Sequence, residues 1–394
     1  MTHPTRRQTL ALAAAAAAAT ALSPSALAQQ AAPFKVGLIL PLTGPFTATG
    51  RQMEAGARLY LAQHGGTVAG RRVELIVKDD GGVADNTRRV AQELITGDKV
   101  DVLAGFGLTP LALSVSQLIT QAKVPAVVMS AATSSIVNAS PYFVRTSLTL
   151  PQSATAMAEW ASKNKIKRAV TLVSDYGPGL DAEKYFKNRF LLNGGEVLAE
   201  LRVPVRNPDF SPFLQRVRDA NPEALFVFVP AGQGVAVMKQ FAERGLDKTG
   251  IKLIGDGSFT DDDILNDMGD VALGAVTAFN YSAAHESALN KRFVSEFIKA
   301  HKVRPAFMGV GAYDGMRVIT KALEATKGKG GGDALLEGMK GQVFESPRGM
   351  MTIDAQTRDV VQDIYIRRVE RRNGELWNIE IDSSKQMKDP GKQG

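Results

Sequence analysis

The sequence predicts an α/β protein made of two Rossmann-like, doubly wound lobes. Three observations carry that prediction. Short apolar runs alternate with amphipathic stretches from residue 35 to about 280, the pattern of parallel strands with helices packed on their faces. The strand-like runs fall into two sets of four, each interleaved with helices, as if one doubly wound unit were repeated. The chain has 394 residues, more than a single hydrophobic core usually serves, so two domains of ordinary size are expected.

The first set of strands is Lys35–Leu40, Arg72–Lys78, Val100–Ala104 and Ala126–Met129. The helix after the third carries Leu111, Val115, Leu118 and Ile119 on one face, a core stripe at helical spacing. The second set is Arg168–Val173, Glu196–Val203, Ala224–Phe228 and Lys252–Ile254. Two later helices are expected over Ser287–His301 and Pro305–Thr326, the second with the stripe Met308, Ala312, Met316, Ile319 and Leu323. Ser140–Pro151, extended and containing Tyr142-Phe143-Val144-Arg145, reads as a crossover between lobes. Gly274–Ser282 reads as a second. A third follows the turn-rich Ser346–Gly349 and leads into strands Met350–Ile353 and Asp363–Val369. Three crossings make a stiffer hinge than one linker and restrict the lobes to opening and closing. The expected N-terminal lobe is 34–145 plus 282–347, and the C-terminal lobe is 151–274 plus 350–382. Lys327–Gly332 reads as exposed loop, and the end of the chain, from Asp382 through 383–394, as a flexible tail. Arg367, Arg368, Arg371 and Arg372 form the densest basic cluster and read as a solvated hairpin edge beside the turn Asn373-Gly374.

Residues 1–28 have the form of a secretory signal. Arg6 and Arg7 precede an apolar run from Leu10 to Leu22, and Ala26-Leu27-Ala28 offers a cleavage site after Ala28. Thr5-Arg6-Arg7-Gln8-Thr9-Leu10 also fits a twin-arginine signal, and both export routes stay open. No later run approaches the roughly 20 apolar residues that cross a bilayer. The chain has no cysteine, which excludes a lipid-anchoring thiol, a disulfide framework and a thiolate metal site. Signal removal lowers the formal charge from +7 to +5, and the remaining basic residues are interspersed with acids. Nucleic-acid binding is not expected. The mature chain is expected to be a free periplasmic monomer.

The chemistry-bearing loops follow strands. His64, His285 and His301 lack metal-ligand spacing, and neither a Gly-x-Ser-x-Gly elbow nor a phosphate-binding Gly-x4-Gly-Lys-Ser/Thr loop occurs. No catalytic residue, metal or cofactor is assigned. Pro41 to Gly50 follows the first strand and includes Phe46, while Gly105-Phe106-Gly107-Leu108-Thr109-Pro110 follows the third. The second loop lacks the third glycine of a dinucleotide fingerprint, but backbone N–H groups and the Thr109 hydroxyl suit a small anion. Thr109 as a mere N-cap is the alternative. Ser130-Ala131-Ala132-Thr133 follows the fourth strand and offers hydroxyls beside residues small enough for close backbone approach. From the second half come Tyr176, with a packed loop aromatic as the alternative, and Asp256, with a turn aspartate as the alternative. Thr260-Asp261-Asp262-Asp263 reads as capping and dipole compensation.

Taken in order, Val36-Gly37-Leu38-Ile39-Leu40-Pro41-Leu42-Thr43-Gly44, Lys78-Asp79-Asp80, Gly105 with Thr109, Ser130-Ala131-Ala132-Thr133, Asp175-Tyr176-Gly177 and Ala312-Tyr313-Asp314 resemble the leucine/isoleucine/valine-binding type of periplasmic solute-binding protein of ABC transporters. The pieces span nearly the whole mature chain. The resemblance implies the type I periplasmic binding protein fold, two lobes joined by three strands that close on a ligand. It also implies that Leu108, Thr109, Ala131, Ala132 and Thr133 hold a carboxylate, and that Tyr176 and Asp256 face it from the other lobe. Asp256 is shorter than the glutamate usual in amino-acid-binding members, and Pro230-Ala231 stands where those members often present tyrosine. Tyr281-Ser282-Ala283-Ala284-His285 resembles the subgroup associated with aromatic carboxylates, for which Phe46 and Phe106 would supply ring contacts unless they are core residues. The implied function is the binding component of an importer that carries a small carboxylate, an aromatic acid or an apolar amino acid, to a membrane permease. A periplasmic sensor subunit using the same cleft is the alternative, and an exported hydrolase finds no nucleophile or metal signal.

Overall fold

A computed structural model describes residues 31–392. The proposed signal peptide lies outside the described residues. Two sheets organise the chain. The first contains β1 (Phe34–Leu40), β2 (Thr67–Val68), β3 (Arg71–Asp79), β4 (Val102–Gly105), β5 (Ala126–Val128) and β6 (Phe143–Arg145), in the order β2-β3-β1-β4-β5-β6. Every pairing is parallel except that of β2 with β3. The second contains β7 (Arg168–Ser174), β8 (Glu196–Val203), β9 (Ala224–Phe228), β10 (Lys252–Asp256) and β11 (Val276–Phe279) as its parallel part, with β12 (Val343–Ser346), β13 (Gly349–Ile353), β14 (Val360–Arg372) and β15 (Glu375–Met387) added antiparallel. This is the expected type I fold, and the eight expected parallel strands are present with ends shifted by two residues at most.

Strand order explains where loops gather. In each sheet the first strand, β1 or β7, has its neighbours on opposite sides, and the parallel chain direction puts all following loops at one edge. That edge is where α/β sheets receive ligands. The two edges face each other across the hinge.

Helix boundaries follow local chemistry. Thr149 and Gln152 form a capping box that starts Leu150–Lys163, and Ser287 accepts the amide of Asn290 to start Ala288–His301. The helix expected after β4 is broken: Thr109–Ser114 and Ser116–Ala122 meet at Val115, whose φ and ψ of −101° and −3° leave the regular helix. Leu111, Val115 and Ile119 are nevertheless buried, as is the whole Met308 stripe of Phe307–Ala325. The latter helix packs on Thr47–His64, where a methyl on Gly56 would lie 2.0 Å from the carbonyl oxygen of Gly309.

Three crossovers are joined by one buried polar network. Arg348, between β12 and β13, donates to Ser147 O at 3.0 Å and Gln362 Oε1 at 2.9 Å, and through Nε to Asp314 Oδ2 at 2.9 Å. Gln362 donates to Ser147 O, and Asn280 donates to Gln362. One residue from each crossover therefore shares a common partner set.

Two expectations are corrected. Arg367 is fully buried, donating to Tyr281 O at 2.5 Å and Gly257 O at 3.0 Å, whereas Arg368, Arg371 and Arg372 are exposed. β14 is covered on both faces from Val360 to Arg367, and exposure begins only at Arg368. The segment from Asp382 to Lys392, expected to be flexible, is structured: β15 pairs with β14 as far as Met387, and Pro390–Lys392 forms a 3-10 turn after it.

Candidate functional site

The loops at the facing sheet edges enclose a narrow cavity of about 40 Å³. The first lobe contributes Phe46, Thr49, Gly107, Leu108, Thr109, Ser130, Ala131 and Ala132. Across from them stand Tyr176, Pro178, Phe228, Pro230, Ala231, Asp256 and Ser258. The crossovers and the following helix add Leu148, Leu150, Phe279, Phe307 and Met308.

Nine of the twelve residues expected from sequence line this cavity: Phe46, Leu108, Thr109, Ser130, Ala131, Ala132, Tyr176, Pro230 and Asp256. Thr133 stands just behind the wall, with Thr109 Oγ1 and Thr133 Oγ1 2.7 Å apart. Phe106 and Tyr281 are corrections. Phe106 is fully buried and packs edge-on against Phe143 at 6.3 Å, because its φ of +66° directs the ring back into the core. Tyr281 is also fully buried, and its hydroxyl donates to Asn290 Oδ1 at 3.2 Å. The N-cap alternative for Thr109 does not hold, since Leu108 occupies the cap position and makes no side-chain cap bond.

One polar wall is built from main chain as well as hydroxyls. Every carbonyl from Ala131 to Ser134 is bonded away from the cavity. Arg145 donates to Ala131 O at 3.0 Å and to Thr133 O at 2.7 Å, while the Leu150 amide donates to Ala132 O at 3.1 Å. Lys392 takes Ser134 O at 2.6 Å. The amides of Ala132 and Thr133 meet no acceptor among the described residues. Such a loop presents donors and withholds acceptors, the polarity that an anionic group needs.

The opposite polar wall is Asp256. It accepts the Ser153 hydroxyl at 2.6 Å and the Ser258 amide at 3.0 Å, so the turn-aspartate reading and the cavity reading are both true of it. Burial raises its pKa, against the lowering effect of those two donors. Burial, with Asp256 nearby, also raises the Tyr176 phenol, which stays protonated at any ordinary pH. Between the polar walls the lining is aromatic. Tyr176 and Phe228 lie 6.1 Å apart at 24°, and Phe279 meets Phe307 edge-on at 5.0 Å. No lysine, arginine or histidine lines the cavity among the described residues.

Phe279, Phe307, Leu148 and Leu150 were missed because they come from crossovers and helix starts rather than strand-end loops. Met308 was assigned wholly to its helix stripe. Phe228 ends β9, two residues before the Pro230 that the family resemblance pointed to, and was read only as part of its strand. Among the described residues no group of three or more histidine, aspartate or glutamate side chains is placed to hold a metal.

A family model described as periplasmic binding protein matches residues 33–375. The chain belongs to the periplasmic binding protein family. Among relatives of this periplasmic binding protein, the Leu/Ile/Val-binding protein homolog 6 of Brucella melitensis biotype 1 is 42% identical over 381 residues, covering 94% of this chain and 97% of the relative. A solute-binding protein of an ABC transporter from Rhodopseudomonas palustris BisB5, solved with 3,4-dihydroxybenzoic acid, superposes with a TM-score of 0.90 at 58% identity, covering 91% of this chain and 99% of that one. Another, from R. palustris HaA2 with p-hydroxybenzoic acid, gives 0.88 at 37% identity, covering 92% and 99%. This periplasmic binding protein is the solute-binding component of an ABC transporter, and its two-lobed architecture is the one such proteins close on their solutes.

Proposed function

We propose that the protein binds a ring-hydroxylated benzoate for delivery to a membrane permease. The carrying observation is the order of the walls: a donor-rich loop at Thr109 and Ala131–Thr133, an aromatic middle, and one buried carboxyl, Asp256, opposite. The benzoate carboxylate takes the free amides and hydroxyls. The ring lies among Phe46, Tyr176 and Phe228, and its hydroxyl donates to Asp256. A buried carboxyl whose charge is poorly compensated gains from one more donor. An α-amino acid would also find a partner for its ammonium in Asp256, so it is the aromatic lining of Tyr176, Phe228, Phe279 and Phe307 that favours a ring over an aliphatic side chain. The ligands bound by the two R. palustris proteins support this choice.

The rest of the proposal follows the family. The chain is exported with residues 1–28 as a signal cleaved after Ala28, acts as a monomer and catalyses no reaction. Closure around the solute distinguishes the loaded form for the permease.

Protein unfolded and refolded to remove co-purified solute should rise in Tm with 4-hydroxybenzoate or 3,4-dihydroxybenzoate and not with leucine. A ligand at 100 times its Kd adds about 2.7 kcal/mol. Asp256→Ala should weaken 4-hydroxybenzoate about 10- to 100-fold, the value of a hydrogen bond to a charged group. Benzoate, which lacks the ring hydroxyl, should change much less. Equal loss for both acids would remove Asp256 from the hydroxyl site.

A further inference from the structure

The ligand loop is held by the end of the chain. After β15, Asp389 is buried and Pro390–Lys392 turns against Ser134, the residue that follows Thr133. All three polar atoms of Ser134 are engaged from outside its own loop. Its hydroxyl donates to Asp389 Oδ2 at 2.6 Å, its carbonyl accepts Lys392 Nζ at 2.6 Å, and its amide donates to Asp181 Oδ2 at 2.8 Å. Lys392 also donates to Asn138 Oδ1 at 2.9 Å, at the far end of the same 3-10 turn.

The tail is itself built for the contact. Asp389 Oδ1 accepts the Gly391 amide at 2.8 Å, which leaves Oδ2 for Ser134. A methyl on Gly391 would lie 2.4 Å from Ser134 Oγ, so the turn sits flush only with glycine there. Upstream, Gln152 donates to Met387 O at 2.7 Å and anchors the tail to the start of the Leu150–Lys163 helix. The tail thus leaves β15, the partner of β14, and turns onto a first-lobe turn.

We propose that Asp389 and Lys392 are positioning residues for solute binding, a C-terminal clamp that fixes the Ala131–Thr133 amides in the orientation a carboxylate requires. Arg145 and the Leu150 amide hold the loop's carbonyls from behind and Asp181 takes the Ser134 amide, but the Ser134 hydroxyl and carbonyl are held by the tail alone. Released at Ser134, the loop would gain freedom in the peptides that face the cavity, and the solute would have to order them on binding. The clamp touches no solute. Its effect should therefore appear in the escape rate of the bound solute more than in its entry rate.

The proposal rests on the carboxylate reading of the cavity, and two measurements separate their failures. First, hydrogen exchange of the 130–138 segment is compared without solute in wild type, Asp389→Ala/Lys392→Met and Gly391→Ala. Both variants should exchange faster there and be unchanged across β7 to β10. Unchanged protection at 130–138 overturns the clamp, whatever the solute. Second, stopped-flow binding of 4-hydroxybenzoate should show koff raised about 5- to 20-fold with kon within about twofold, corresponding to roughly 1–2 kcal/mol of affinity. Asp389→Glu, which keeps the acceptor, should recover part of the loss. Wild type that binds 4-hydroxybenzoate with variants that bind it equally well overturns the positioning role. Wild type that binds no benzoate overturns the solute assignment and leaves the exchange result to decide the clamp.

Discussion

Asp263 lies at the end of the segment that carries Ser258 into the cavity, and it lines a second groove of about 510 Å³ together with Arg51 and His301. Burial, reinforced by Asp262, raises its pKa to about 7. The folded protein therefore keeps a proton that the unfolded chain releases near pH 4, and stability from this group falls as pH rises from about 4 to 7. Asp263→Asn should raise Tm at pH 8 relative to wild type, by an amount of order 1–3 °C for a chain of this size, and by less at pH 5. Paired thermal melts at the two pH values check it, and an equal effect at both would place the titration elsewhere. At this scale sequence was an uneven guide. Phe46 and Phe106 both follow a strand, yet only one faces the cavity, because the left-handed φ of Phe106 is not written in its neighbours. The inward Arg367 was not legible, since β14 is buried on both faces from Val360 to Arg367 and shows no period that would set Arg367 apart from Arg368.

At the scale of elements, the strands were readable because both faces of a parallel sheet are covered and its strands are nearly uniform apolar runs. The antiparallel additions were less so. Part of β15, Glu375–Met387, is polar and half exposed, and its order comes from pairing along β14 rather than from a hydrophobic stripe. Helix packing was legible as stripes, while the close approach that seats one helix on the other was not. Gly56 of Thr47–His64 touches the Gly309 backbone of Phe307–Ala325. Gly56→Ala should force the two helices apart at a cost of about 1–3 kcal/mol or more, the usual range for overpacking. Denaturant unfolding should show a lowered midpoint with an unchanged slope. An unaltered midpoint would mean that the helices slide freely past each other at this point.

For the whole molecule, the cleft is drawn shut by contacts between parts far apart in sequence. Arg206 donates to Gly82 O at 2.9 Å, beside Phe46, and Asp181 accepts the Ser134 amide. Gly177 lies against the first lobe, where a methyl would stand 2.7 Å from Thr133 Oγ1. Gly177→Ala should therefore oppose closure while leaving each lobe folded. The expected result is a faster koff for 4-hydroxybenzoate, roughly tenfold if about 1.4 kcal/mol of closing free energy is lost. Small-angle scattering should show a solute-loaded variant more extended than loaded wild type, and identical profiles would show that Thr133 yields to the methyl. None of these contacts had a sequence signal, because each joins residues whose proximity exists only once both lobes are built.

The docked end of the chain has a practical consequence for anyone preparing the protein. An affinity tag fused shortly after Lys392 would stand within reach of the turn that holds Ser134. A tag placed ahead of Phe34 would stand at the opposite edge of its sheet from the solute loops, since β1 runs towards them. Solute affinities measured with the two placements should differ, and the N-terminally tagged protein should be the tighter binder.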